Sequence, residues 1–229
     1  MAFGLEVRNT TDNLVVDMTY RNLSLQQKYD FNIASGATFS VTQTNCDAPL
    51  MAINASGYVG FYGLGVSGST YTWRFKSSEA SSGSVYIFDK PHSSSSSTFG
   101  MKVLASDGTT EIFNSDNKYL RVVDVLDVPW TGSVDYISPQ VTGADASKTG
   151  LASAKYAVCA SMSRVRAIAT GGSYYRRIFD GVKCTTTSVS VSQIIAIDFF
   201  AGAGGEHPGH FAISGSGTTP ALIINVEGF

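Results

Sequence analysis

The stretch FGMKVLASDGTTEIFNSDNKYLRVVD, residues 99–124, contains the pattern that decides the fold. Two runs rich in apolar and β-branched residues flank the dipeptide Asp107-Gly108. Asp-Gly between such runs is a strong hairpin signal, because both residue types adopt the positive φ that tight turns need. A third run at 119–123 ends the stretch. The sequence therefore predicts a β-hairpin followed by a further strand.

A weaker copy of the same pattern opens the chain at residues 3–25. Its FGLEV matches FGMKV with an offset of 96 residues, and its VVD and LSL match IFN and LRV with an offset of 97. The offset changes by one residue because the turns differ in length. Two copies are too few for a solenoid, so the sequence predicts two similar hairpins that bracket one β domain.

These two copies resemble segments of small structural proteins encoded among the tail genes of tailed bacteriophages. In that group an N-terminal FGL-x-V-x-N segment, here at 3–23, accompanies a later segment that ends in KYLRVVD, here at 99–124. The resemblance covers residues 1–125 well and the rest loosely. It implies a virion component of the tail tip, baseplate or tail fibre, made in the bacterial host cytoplasm, with other virion tail proteins as partners. It brings no catalytic residues with it.

Composition limits the classes of partner. Charged residues make up only 15% of the 229 residues, and the net charge is −2, so nothing favours binding to nucleic acid or an anionic membrane. Neither a signal peptide nor an apolar run long enough to span a bilayer is evident. The surface is rich in Ser, Thr, Asn and Gly, which suits a virion protein whose surface is buried by neighbours. We therefore expect a homo-oligomer.

Short alternating runs separated by turn residues predict an all-β fold with two β-sandwich-like modules in tandem. We place an N-terminal β-sandwich at 1–127, a linker at 128–150, where Pro and Gly recur, and a C-terminal β module at 151–229. Residues 151–169 fit either a helix or a strand, and their β-like flanks favour the strand. The serine run at 93–97 predicts an exposed loop.

The main basic cluster lies in the C-terminal module, beside two tyrosines. Such a cluster can grip an anionic sugar of the host surface, with aromatic rings for stacking, or form salt bridges between subunits. We favour the salt bridges. The weak binding candidates are Arg164, Arg166, Tyr174, Tyr175, Arg176, Arg177 and the lone Trp130.

A second candidate is the loop Glu206-His207-Pro208-Gly209-His210. His-x-x-His can chelate a transition metal if the loop folds back, with Glu206 or a neighbouring subunit as the third ligand. Pro and Gly between the histidines favour a simple exposed turn, so we expect no cofactor. The G-x-G-x-x-G match at 63–68 precedes a β run and not a helix, which disfavours a nucleotide site.

Three cysteines cannot form a closed disulfide framework, although a Cys159–Cys184 bridge is possible. No motif for a nucleophile is present, so we expect a protein that is not an enzyme. The main hypothesis is an architectural tail subunit; the alternatives are a receptor-binding module for a host-surface glycan and a capsid decoration protein.

The last strand-like run, at 220–226, is apolar on both faces and therefore needs cover on both sides. That cover comes either from the interior of its own module or from a neighbouring subunit. The low charge of the surface favours the neighbour.

Overall fold

The computed structural model describes residues 7–8, 14–16, 22–91, 100–105, 107–129, 146–160, 166–169, 174–200 and 218–229. Every regular element in these ranges is a strand, and none of them contains a helix that is long and apolar enough to cross a membrane. The expected all-β fold is confirmed. The strands of the described residues are β1 (Val7–Arg8), β2 (Leu14–Val16), β3 (Ser24–Ile33), β4 (Thr38–Gln43), β5 (Leu50–Ala55), β6 (Val59–Ser67), β7 (Thr70–Ser77), β8 (Ser81–Asp89), β9 (Lys102–Leu104), β10 (Glu111–Asn114), β11 (Val122–Pro129), β12 (Ala146–Lys148), β13 (Tyr156–Ala160), β14 (Arg166–Ala169), β15 (Tyr174–Cys184), β16 (Val189–Phe200) and β17 (Thr218–Asn225).

Two antiparallel sheets pack in a sandwich-like arrangement. Sheet one has six strands in the order β11-β17-β13-β5-β8-β3. Sheet two has the order β12-β16-β15-β6-β7-β4, with β14 beside β15. Two small hairpins, β1-β2 and β9-β10, stand outside these sheets. Every pairing between the described strands is antiparallel, although many of the paired strands are not consecutive along the chain.

The two faces of sheet one explain why several of its strands are apolar at every position. Its inward face shares with sheet two a hydrophobic cluster, the inner core, which includes Val85 and Ile223. Its outward face carries a second cluster, the outer core, which includes Tyr86 and Ile224. The outer core is covered by the segments that follow the two hairpins, through Leu23, Leu25 and Leu120, and by the C-terminal Phe229.

The chain consists of two halves with the same strand topology. Strands β3, β4, β5, β6, β7 and β8 occupy the same places in the first half as β11, β12, β13, β15, β16 and β17 in the second. Each half supplies three adjacent strands to each sheet, so two small sandwiches lie side by side and share both sheets. Among the described strands, only β14 has no counterpart in the first half.

The hairpin repeat found in the sequence is confirmed by the pairing register. Val7 pairs with Val16 in the first hairpin, and Val103 pairs with Phe113 in the second, which are the residues related by the offsets of 96 and 97. Both registers shift at the next pair. The second hairpin opens the second half and does not close the first.

The halves meet at residues that are equivalent to each other. In sheet one, Ile53 of β5 pairs with Val158 of β13, within the related sequences AINAS (52–56) and AVCAS (157–161). On the outer core, the amide of Leu120 donates to the carbonyl of Leu23 at 2.8 Å, again between repeat-related residues. Such self-matched pairs are what a local two-fold axis between two antiparallel halves produces.

The predicted neighbour contact of the last strand is wrong. Strand β17 lies inside sheet one, between β11 and β13, and Ile223 and Ile224 are completely buried on its two faces. The chain itself therefore covers this strand. The boundaries predicted at 127 and 151 also do not coincide with the division between the halves, which falls between β8 and β9. The segment 128–150 joins β11 of sheet one to β12 of sheet two.

Candidate functional site

Strand β11 forms one edge of sheet one and exposes a row of valines. Its Leu126 and Val128 point into the inner core. By contrast, Val122, Val123 and Val125 are 47%, 48% and 46% exposed. Adjacent exposed valines on an edge strand are unusual, because free edges normally carry charges or proline to prevent association. We call Val122, Val123 and Val125 the valine edge.

The opposite edge of sheet one provides an internal comparison. Strand β3 is the counterpart of β11, and its Tyr29 and Phe31 pack against the inner core as Leu126 and Val128 do. On its other face, where β11 has Val125, strand β3 has Lys28, which forms an ion pair with Asp30 at 3.5 Å. The β3 edge therefore carries an ion pair at this point, whereas the β11 edge keeps an aspartate, Asp127, in place of Asp30 but has a valine in place of the lysine.

The main chain of β11 is partly protected. The Asp124 carboxylate accepts a hydrogen bond from the amide of Val125 at 2.8 Å and pairs with Lys148 at 2.8 Å. The Lys148 hydrogen bond, followed by that of the Val125 amide, holds the pKa of Asp124 below its usual value. At the end of the strand, Pro129 has no amide hydrogen to donate. We therefore expect contacts through the valine side chains, with little extension of the sheet.

The predicted basic cluster lies on two paired strands as far as the structure describes it. Strand β14 begins at Arg166, and β15 contains Tyr174, Tyr175, Arg176 and Arg177. In the backbone register, Arg166 lies opposite Ile178, and Arg176 lies opposite Ile168 on one side and Asp198 on the other. The fold thus brings five of the seven weak candidates together. Arg164 and Trp130 lie outside the described residues.

The predicted metal site, Glu206, His207 and His210, also lies outside the described residues, as does the serine run at 93–97. Within the ranges that the structure describes, no group of three or more His, Cys, Asp or Glu side chains could hold a metal ion. Residues 63–67 of the G-x-G-x-x-G match belong to β6 and not to a turn, whereas the β run predicted after the match is confirmed as β7.

The possible Cys159–Cys184 bridge is absent. Both thiols are free and buried, with Cys159 in the outer core and Cys184 in the inner core, so sheet one separates them. Burial raises the pKa of each thiol to about 12, which leaves both protonated and unreactive at neutral pH.

The valine edge was missed at the sequence level, although a signal for it was present. The repeat offset of 97 aligns VVDVLDV at 122–128 with LQQKYDF at 25–31. In this alignment Val123 replaces Gln26 and Val125 replaces Lys28. Because one copy has apolar residues at non-core positions where the other copy is polar, this edge is a candidate contact surface.

Comparisons with known proteins leave the family open: no family model matches the chain, and no curated protein or solved structure is significantly similar to it.

Proposed function

We propose that the chain is a structural subunit of a bacteriophage virion, placed in the tail tip, baseplate or tail fibre, and that the valine edge contacts a second copy. The observation that carries this proposal is the contrast between the two equivalent edges of sheet one, because β11 exposes Val123 and Val125 at the positions where β3 has Gln26 and Lys28. The repeated hairpins, which resemble those of phage tail proteins, and the low charge of the chain support the same role.

A second copy fits the valine edge for a geometric reason. If two β11 strands align antiparallel about Val125, the two Val125 side chains meet and each Val123 lies opposite Asp127. The two Asp127 carboxylates then lie four residues apart along the strand direction, or about 13 Å, so that their repulsion is weak in salt. A two-fold contact of this kind uses the same surface on both subunits.

The expected strength of this contact follows from the exposure of the valines. Burying the exposed half of a valine side chain contributes about 1 kcal/mol, so the six valines of a pair would supply at most about 6 kcal/mol if all of them were covered. Association costs at least about 4 kcal/mol in lost translational and rotational freedom. The isolated protein should therefore associate weakly, and neighbours in a particle would add the remaining stability.

Two measurements test the proposal. An antibody against the chain should label purified particles of the encoding phage at the tail end. Label on the capsid surface would indicate a decoration protein. Particles that carry no label and do not contain the chain would refute a virion role.

Sedimentation velocity should show concentration-dependent association of the 24.3 kDa chain. Val123→Gln combined with Val125→Lys should abolish it, whereas Gln26→Ala combined with Lys28→Ala on β3 should not. A chain that stays monomeric at all concentrations would refute the self-contact.

A receptor-binding role is the second candidate. The observation in its favour is that β14, which begins at Arg166, has no counterpart in the first half and pairs with the part of β15 that holds Arg176 and Arg177. Arginines and tyrosines in this arrangement suit an anionic sugar of the host surface. Adsorption of tagged protein to host cells, reduced by Arg176→Ala combined with Arg177→Ala, would favour this role.

A further inference from the structure

The second half contains a cleft at the end of the sandwich. It has a volume of about 470 Å³ and opens between the segment before β13, the turn between β15 and β16, and the residues after β17. This size lies within the range of about 300–1,000 Å³ that is usual for ligand sites. The residues that line it are Asn54, Ser153, Ala154, Lys155, Cys184, Thr185, Thr186 and Glu227.

The first half has an equivalent corner, and its carboxylate is buried. Ile53 and Val158 are equivalent residues of the two halves, and they pair with Val85 and Ile223 respectively. Val85 is therefore equivalent to Ile223. Four residues further along each chain segment, Asp89 is the counterpart of Glu227. Both carboxylates accept hydrogen bonds from the main chain of the segment that leads into the neighbouring strand.

The two corners differ in how far the carboxylate is enclosed. Asp89 is completely buried and accepts hydrogen bonds from the amides of Asp47 at 2.8 Å and Lys90 at 2.7 Å. An ion pair between Lys90 and Asp47 lies beside it. Glu227 is exposed, and its carboxylate accepts one described hydrogen bond, from the amide of Lys155 at 2.7 Å. The carboxylate is therefore buried at one corner and exposed at the other.

The open corner presents polar groups with unused hydrogen-bonding capacity. Among the described residues, the hydroxyls of Ser153 and Thr186 form no hydrogen bond, and the Lys155 ammonium forms no ion pair within 4 Å, although its charge interacts with the Asp30 carboxylate. The Asn54 amide donates to the carbonyl of Tyr156, which leaves its oxygen as an acceptor. The cleft therefore offers a carboxylate, an amide oxygen and hydroxyls around one space, with Lys155 in its wall.

We propose that this cleft binds a saccharide unit. A sugar ring carries closely spaced hydroxyls that both donate and accept, and the mixture of donors and acceptors in the cleft matches them. An apolar ligand would leave these groups without partners, which costs free energy for each of them. The site is independent of the valine edge and of the position of the chain in a particle.

Titration of the full chain by NMR tests this site, with glucose, glucosamine and galacturonic acid as neutral, cationic and anionic probes. At least one probe should bind with a dissociation constant on the order of 1 mM and shift the amides of 153–155, 185–186 and 227. If Lys155 dominates, galacturonic acid binds best; if Glu227 dominates, glucosamine does.

Two variants of the same turn separate binding from folding. Thr186→Val removes a hydroxyl of the cleft and should weaken binding about 2- to 10-fold. Thr187→Val makes the same change one residue away, at an exposed position that does not line the cleft, and should leave binding unchanged. Absence of saturable shifts with all three probes, or equal effects of the two variants, would overturn the proposal.

Discussion

Replacing Asp89 by alanine should be among the most destabilising changes in the chain, whereas the same change at its counterpart Glu227 should have a small effect. The Asp89 carboxylate is completely buried and accepts three main-chain hydrogen bonds, from Asp47 at 2.8 Å, Lys90 at 2.7 Å and Ala48 at 3.4 Å. The bonds from Asp47 and Ala48 hold the segment before β5 against the end of β8. Glu227 holds the segment before β13 through one described bond and remains exposed.

The magnitude follows from these contacts. Each hydrogen bond to a charged group contributes about 1.5–3 kcal/mol, and the bond at 3.4 Å contributes much less. The two short bonds give about 3–6 kcal/mol. Alanine also removes the cost of burying the Asp89 charge, so we expect a net loss of about 3–4 kcal/mol. For a domain of this size, that corresponds to a fall in Tm of about 6–16 °C.

Urea unfolding of the two variants beside the unchanged protein is the assay. The midpoint should fall strongly for Asp89→Ala and slightly for Glu227→Ala, with unchanged slopes. Asp89→Asn keeps one acceptor oxygen and should lie between Asp89→Ala and the unchanged protein. Equal shifts for the two alanine variants, or a loss below about 1 kcal/mol for Asp89→Ala, would refute the reasoning that burial and amide hydrogen bonding distinguish the two corners.

Three further predictions concern the joint between the halves, the hairpin turn and the thiols. In Gly60→Ala the new Cβ would lie 2.3 Å from a main-chain oxygen of β15, so urea unfolding should show that the free energy of unfolding falls by at least about 2 kcal/mol. Gly63→Ala on the same strand, where the nearest atom is 3.9 Å away, should be close to neutral. Hydrogen bonds from Thr110 and Thr109 lower the pKa of Asp107 to about 2. The stabilising effect of this carboxylate should therefore be complete above its ordinary pKa of 3.8 and disappear as the pH falls towards 2. An NMR titration should give a midpoint near 2, and a midpoint near 3.8 would contradict these hydrogen bonds in the turn. Cys159 and Cys184 should resist a disulfide reagent at pH 8 until guanidinium unfolds the chain, and rapid modification of the folded protein would show that they are not buried.

The sequence by itself was sufficient for the local features of the fold. Alternating residues predict strands because successive side chains point to opposite faces, and Asp-Gly predicts the turn between β9 and β10. The repeat offsets of 96 and 97 correctly relate Val7 to Val103 and Val16 to Phe113 in the two hairpins. All of these features depend on residues that are close together along the chain.

The candidate site was only partly accessible from the sequence. The offset of 97 shows that Val125 replaces Lys28, but it does not show that both residues lie on edge strands. That fact depends on the order of strands in sheet one. The cleft was even less predictable from the sequence, because its wall combines Asn54 with residues that lie between 99 and 173 positions later in the chain.

Only the tertiary structure decided how the two halves share their sheets. An apolar run such as 220–226 shows that both faces need cover, but not which strands provide it. Strand β17 obtains that cover as an interior strand, and β5 meets β13 at Ile53 and Val158, which are 105 positions apart. The physical reason is that turns and alternation are set by neighbouring residues, whereas strand order depends on burying the whole apolar surface of both halves at once.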